Sequence, residues 1–90
     1  MSENEWRLVF EQSLAPKCLM YEYVSKGRHY YLRVCIYYDE RGNIYPFGNI
    51  RLTINNKRTC VFTNYKQLEK YLTEKGIPLS GIEGIIRLWR

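Results

Sequence analysis

A single histidine, His29, and three cysteines, Cys18, Cys35 and Cys60, none in CxxC spacing, are all the imidazole and thiolate metal donors the sequence has. Zinc sites draw on a clustered set of such ligands, so this set excludes a conventional zinc centre. No glycine-rich phosphate loop and no nucleophile motif is present, which removes the common nucleotide-binding and hydrolase signatures. No apolar stretch approaches the roughly 18 residues of a membrane span, and the acidic opening MSENEWRLVF has no apolar leader core. These absences lead to the expectation of a cytoplasmic chain with reduced thiols, no cofactor, no metal and no membrane partner.

What the sequence does have is tyrosine and basic charge. Nine tyrosines supply most of an aromatic share of 16%. Tyrosine is at home in strands and at wet interfaces, because its ring is apolar and its hydroxyl is not. The 90 residues suit one domain with one core and carry a formal charge of +5. That charge is uneven. Residues 17–62 hold eight basic side chains against Glu22, Asp39 and Glu40, whereas residues 1–16 hold Arg7 against Glu3, Glu5 and Glu11. A basic balance favours anionic partners, nucleic acid among them.

Turn sequences divide the chain. Ser25-Lys26-Gly27-Arg28, Asp39-Glu40-Arg41-Gly42-Asn43 and Asn55-Asn56-Lys57 separate β-rich runs at about 17–24, 29–38, 44–54 and 58–62. Three successive hairpins predict a four-stranded antiparallel meander. Side chains two apart share a strand face. In the second run Tyr30, Leu32, Val34, Ile36 and Tyr38 form an apolar even face, and His29, Tyr31, Arg33, Cys35 and Tyr37 form a mixed odd one. The third run repeats this, with Ile44, Ile50, Leu52 and Ile54 against Tyr45, Phe47, Asn49, Arg51 and Thr53. Loop lengths place Tyr37 opposite Tyr45, Tyr23 opposite Tyr30 and Cys18 opposite Cys35. Pro46 and Gly48 predict a bend or bulge in the third strand.

A helix follows. Asn64 is its cap, Gln67 a capping-box partner, and Tyr65, Leu68, Tyr71 and Leu72 its apolar stripe. Gly76, Ile77 and Pro78 end it. The fold class is therefore α+β, with four strands and then one helix packed on the even face. The last segment reads as a helix from the Ser80-x-x-Glu83 pattern or as a strand from Gly84 to Trp89, and residues 6–14 are as open. Thr59-Cys60-Val61-Phe62-Thr63 running straight into Tyr65-Lys66-Gln67-Leu68 resembles, in layout, the passage from fourth strand to helix in single-strand-binding domains such as the Whirly and PUR-type folds.

The candidate surface is the odd face: His29, Tyr31, Arg33, Tyr37, Tyr45, Phe47 and Arg51. Rings offer stacking platforms to bases of any sequence, and arginines between them can stack or hold phosphates. Lys26, Arg28, Arg41, Lys57 and Arg58 in the turns would extend the positive field. The expected function is weakly sequence-specific binding of single-stranded nucleic acid. Two other outcomes compete. Trp6, Val9 and Phe10, or Ile85, Leu88 and Trp89, can fold across the odd face and make it a second core layer. The face can also be a protein interface or a homodimer contact, as in a small inhibitor or accessory protein. An enzyme is not expected. His29, Tyr31 and Arg33 are the one acid–base set in view, of the kind small RNA-cleaving toxins use.

Overall fold

In the computed structural model, which describes residues 5–90, the alternation is realised strand by strand. Five strands pair in chain order into one antiparallel sheet: β1 (Arg7–Glu11), β2 (Lys17–Ser25), β3 (Arg28–Tyr38), β4 (Ile44–Ile54) and β5 (Arg58–Phe62). Helix α1 (Tyr65–Lys75) and a single turn of helix, α2 (Glu83–Ile86), follow. No helix among the described residues is long and apolar enough to cross a membrane.

The β2–β3 register is the one the loop length requires, with Tyr23 opposite Tyr30, Leu19 opposite Val34 and Cys18 opposite Cys35. Leu32, Val34, Ile50 and Leu52 lose all solvent contact on the even face. Burial of each such side chain contributes about 1.5–3 kcal/mol. Leu68 and Leu72 of α1 cover them, together with Ile82 and Ile86. The helix is bounded as its sequence demands. The Gln67 amide donates to Asn64 Oδ1 at 3.0 Å, and Gln67 Oε1 accepts from the Thr63 amide at 2.9 Å. At the other end Gly76 takes the left-handed conformation, and the Ile77 amide donates to the Leu72 carbonyl at 2.8 Å.

The two undecided segments resolve differently, the first into the sheet and the second into the helix layer. Residues 7–11 form an edge strand on β2. The Ser80-x-x-Glu83 pattern does not cap a helix. Ile82 is the N-cap of α2, with no side-chain bond, and the Ser80 carbonyl instead accepts from the Trp6 amide at 2.8 Å. Both tryptophans are buried on the even face. Trp6 Nε1 donates to the Pro78 carbonyl and Trp89 Nε1 to the Gly48 carbonyl, each at 2.8 Å. The ends of the chain thus complete the core on the helix side, and neither tryptophan lies over the odd face.

The expectation of free thiols at Cys18 and Cys35 is overturned. The two are joined in a disulfide with S–S 2.06 Å and Cα–Cα 4.0 Å. Directly opposed residues of an antiparallel pair point to one side of the sheet, which brings two cysteines within bonding reach. Cys60 remains a free thiol.

Candidate functional site

The odd face of the sheet is open. Rows of paired residues cross it, because opposed positions in antiparallel strands share a side. One row runs Phe10, Met20, Arg33, Arg51, Val61, and the next runs Arg7, Glu22, Tyr31, Thr53, Thr59. Beyond the first row lie the Cys18–Cys35 disulfide and Phe47, then the pair Tyr37 and Tyr45.

Tyr37, Tyr45 and Phe47 keep 42%, 39% and 50% of their surface exposed, an unusual amount for three contiguous rings. Tyr37 stacks on Tyr45 at 5.2 Å between centroids and meets Phe47 edge-on at 6.3 Å. The Tyr45 hydroxyl donates to Asp39 Oδ2 at 3.0 Å. Asp39 also accepts from the side chain and amide of Asn43 and from the amide of Arg41. These bonds, that from the Asn43 side chain foremost, hold the Asp39 carboxyl below its usual range, and the neighbouring carboxylate raises the Tyr45 phenol. The turn therefore locks one ring of the stack in place.

Beside the rings Arg33 and Arg51 stand directly opposite each other. Like charges so placed repel, and among the described residues neither has a carboxylate within salt-bridge reach. With Phe47, Gly48 and Asn49 they line a shallow hollow of about 200 Å³ whose floor includes Cys35. Its shape comes from β4. The Tyr37–Tyr45 register shifts by two residues before Arg33 meets Arg51, and Gly48, at φ 74°, sits in the shift. An insertion of two preserves which side each residue faces, so Phe47 and Arg51 stay on the same surface.

The other half of the face is electrostatically closed. Glu22 accepts from Arg7 Nη2 at 3.0 Å and lies 3.6 Å from His29 Nδ1. The Tyr31 hydroxyl first, then Arg7 and His29, hold its carboxyl below the ordinary value. The same contact raises the Tyr31 phenol. His29 stacks on Tyr31 at 6.4 Å, and its backbone is tied to Asn55 by bonds in both directions. Tyr31 is half-buried, where Tyr37 and Tyr45 are exposed.

The turn cations do not join this surface as a group. Arg28 is opposite Ser25 and Arg58 opposite Ile54, positions on the helix side. Lys26 and Arg28 line a hollow with Lys75 and Gly76 at the end of α1, where positive charge complements the helix carbonyls. Lys57 is exposed in the β4–β5 turn. Of the expected residues, the structure brings together Arg33, Tyr37, Tyr45, Phe47 and Arg51, with His29 and Tyr31 in a separate cluster around Glu22.

Two neighbours were not anticipated. Phe10, 56% exposed, is turned to the open face by a bulge between Leu8 and Phe10. Strict alternation would have placed it with Leu8, so only the bulge reveals it. Val61, 53% exposed, stands opposite Arg51. Its odd number in a strand of known parity was a usable signal. Among the described residues no three His, Cys, Asp or Glu side chains gather to hold a metal ion. Compared with protein-family models, curated proteins and solved structures, the chain matches none.

Proposed function

We propose that the protein binds single-stranded nucleic acid on the open face of its sheet, with little preference for sequence. One observation carries the proposal: three exposed, mutually packed rings share a sheet face with two arginines that have no acidic partner among the described residues, and Phe47 lines one hollow with both arginines. Phe47 and Tyr37 present ring surface to bases, and Arg33 and Arg51 present guanidinium groups to the phosphates between them. The reaction proposed is binding without turnover. An RNA cut by the intact protein and spared by His29→Ala would make His29 catalytic instead.

Stacking on one ring is worth about 1–3 kcal/mol. Tyr37→Ala should therefore weaken binding of a fluorescent oligothymidine by roughly 5- to 150-fold, with the circular dichroism spectrum unchanged. An unchanged affinity would remove the rings from the site.

A protein partner is the second reading, favoured by β1. All five of its residues are exposed, Leu8 and Val9 among them, and it is an edge strand able to pair with another chain. Sedimentation decides here: a stable dimer that Val9→Lys dissolves would favour it, and a monomer at high concentration would not. A cytoplasmic setting belongs to the proposal as well. Disulfides persist mainly in oxidising surroundings. Alkylation in intact cells that traps Cys18 and Cys35 as free thiols would agree with the cytoplasm, and recovery of the bonded form would argue for an oxidising compartment.

A further inference from the structure

Four cations gather where α1 begins, on the side of the molecule away from the open face. Lys66 and Lys70, one helical turn apart, line a groove of about 850 Å³ with Arg87, Arg90, Asn64 and Tyr65. All four cations are exposed. None has a carboxylate within salt-bridge reach among the described residues.

This placement runs against helix electrostatics. The first turn of a helix is its positive end and ordinarily gathers Asp and Glu, whereas that of α1 holds no acid at all. Lys66 lies in that turn and Lys70 in the next, and with Arg87 and Arg90 they raise a positive potential that no ion pair among the described residues ties up. Three of the first four helix amides are already bonded, those of Tyr65, Gln67 and Leu68, to the Trp89 carbonyl, Asn64 Oδ1 and the Asn64 carbonyl. The main anion-attracting groups are the four side chains.

The groove is joined to the open face through a short relay. Gly48 lines the Arg33–Arg51 hollow. Its carbonyl takes the Trp89 indole at 2.8 Å, and the Trp89 carbonyl takes the amide of Tyr65, which lines the groove. The two basic hollows therefore flank the same end of the sheet, separated by the β4 bulge and the end of β5.

We infer that this groove is a second phosphate-binding site, and that one nucleic-acid strand runs from the Arg33–Arg51 hollow around the end of β5 into it. The inference rests on the open-face reading above and extends it. A short strand occupies the open face alone, and a longer one reaches Lys66, Lys70, Arg87 and Arg90.

The test is fluorescence anisotropy with oligothymidines of about 4 and about 16 nucleotides, the range of common single-strand sites. Wild type is compared with Lys66→Ala/Lys70→Ala and, independently, Arg87→Ala/Arg90→Ala, each checked for an unchanged melting temperature. The expected result is a loss of about tenfold for the long strand, a log–log salt slope shallower by about 1.4 because two phosphates are no longer neutralised, and no loss for the short one. Equal loss on both lengths would reduce the groove to a diffuse field and overturn the path. No loss on either would overturn the site while leaving open-face binding intact. Wild type that binds neither length would overturn both readings together.

Discussion

Asp39 shows how a turn residue can act on a surface it does not belong to. It closes the β3–β4 turn through Asn43 and Arg41, and its remaining lone pairs fix the Tyr45 hydroxyl. Its carboxyl is held below the usual value of 3.8. A depressed carboxyl contributes its stabilisation fully above the ordinary carboxylate pKa and loses it as pH falls through the depressed one. The reciprocal effect is a Tyr45 phenol above the usual 10.0, caused first by its bond to Asp39. Asp39→Asn should bring the Tyr45 titration, followed by NMR, back down toward the ordinary tyrosine value. A Tyr45 titration that does not move would break the link between the turn and the stack. Arg33 and Arg51 make the complementary point. Their juxtaposition costs stability, and a phosphate between them would remove that cost.

At the scale of elements, the strands from Lys17 to Phe62 and helix α1 were legible because each obeys a short-range rule. Two-residue alternation separates Leu32 and Val34 from Tyr31 and Arg33, and Asn64 and Gly76 mark the ends of the helix. The shift at Gly48 was legible as a bend but not in size, since an insertion of two residues leaves the alternation intact. The terminal segments were not legible, because what orders them is contact between ends of the chain. Gly81 is the clearest case. At φ 99° it passes so close to Trp6 that a Cβ there would lie 2.3 Å from the Trp6 carbonyl oxygen. Neither constraint can be read from the neighbours of Gly81, which left the segment open between a weak helix and a strand. Gly81→Ala should destabilise the protein by about 2–4 kcal/mol in a urea titration, from positive φ and backbone collision together. A change under about 0.5 kcal/mol, as at an ordinary surface site, would mean that Trp6 is not docked there.

The whole molecule is a one-sided sheet. Its helices, Trp6 and Trp89 all pack on the even face, and the odd face is left with its rings and arginines exposed. Which face would be covered was the question that periodicity left open, because alternation separates two faces without saying which receives the chain ends. The candidate site was correspondingly half legible. Arg33, Tyr37, Tyr45, Phe47 and Arg51 come together as their parity implies. Arg28 and Arg58 do not, being on the other parity, and Glu22 neutralises the region of Arg7, Tyr31 and His29. Pairing by strand register, which the spacing already contained, would have separated these groups.

The most direct measurement of the central claim is the salt dependence of oligothymidine binding by wild type and by Arg33→Ala/Arg51→Ala. Wild type should bind at low salt and weaken linearly on a log–log plot. The slope should be shallower by about 1.4 in the double variant, since each of two phosphates no longer neutralised removes about 0.7. No binding by the wild type at low salt, or an identical slope and affinity in the variant, would contradict it.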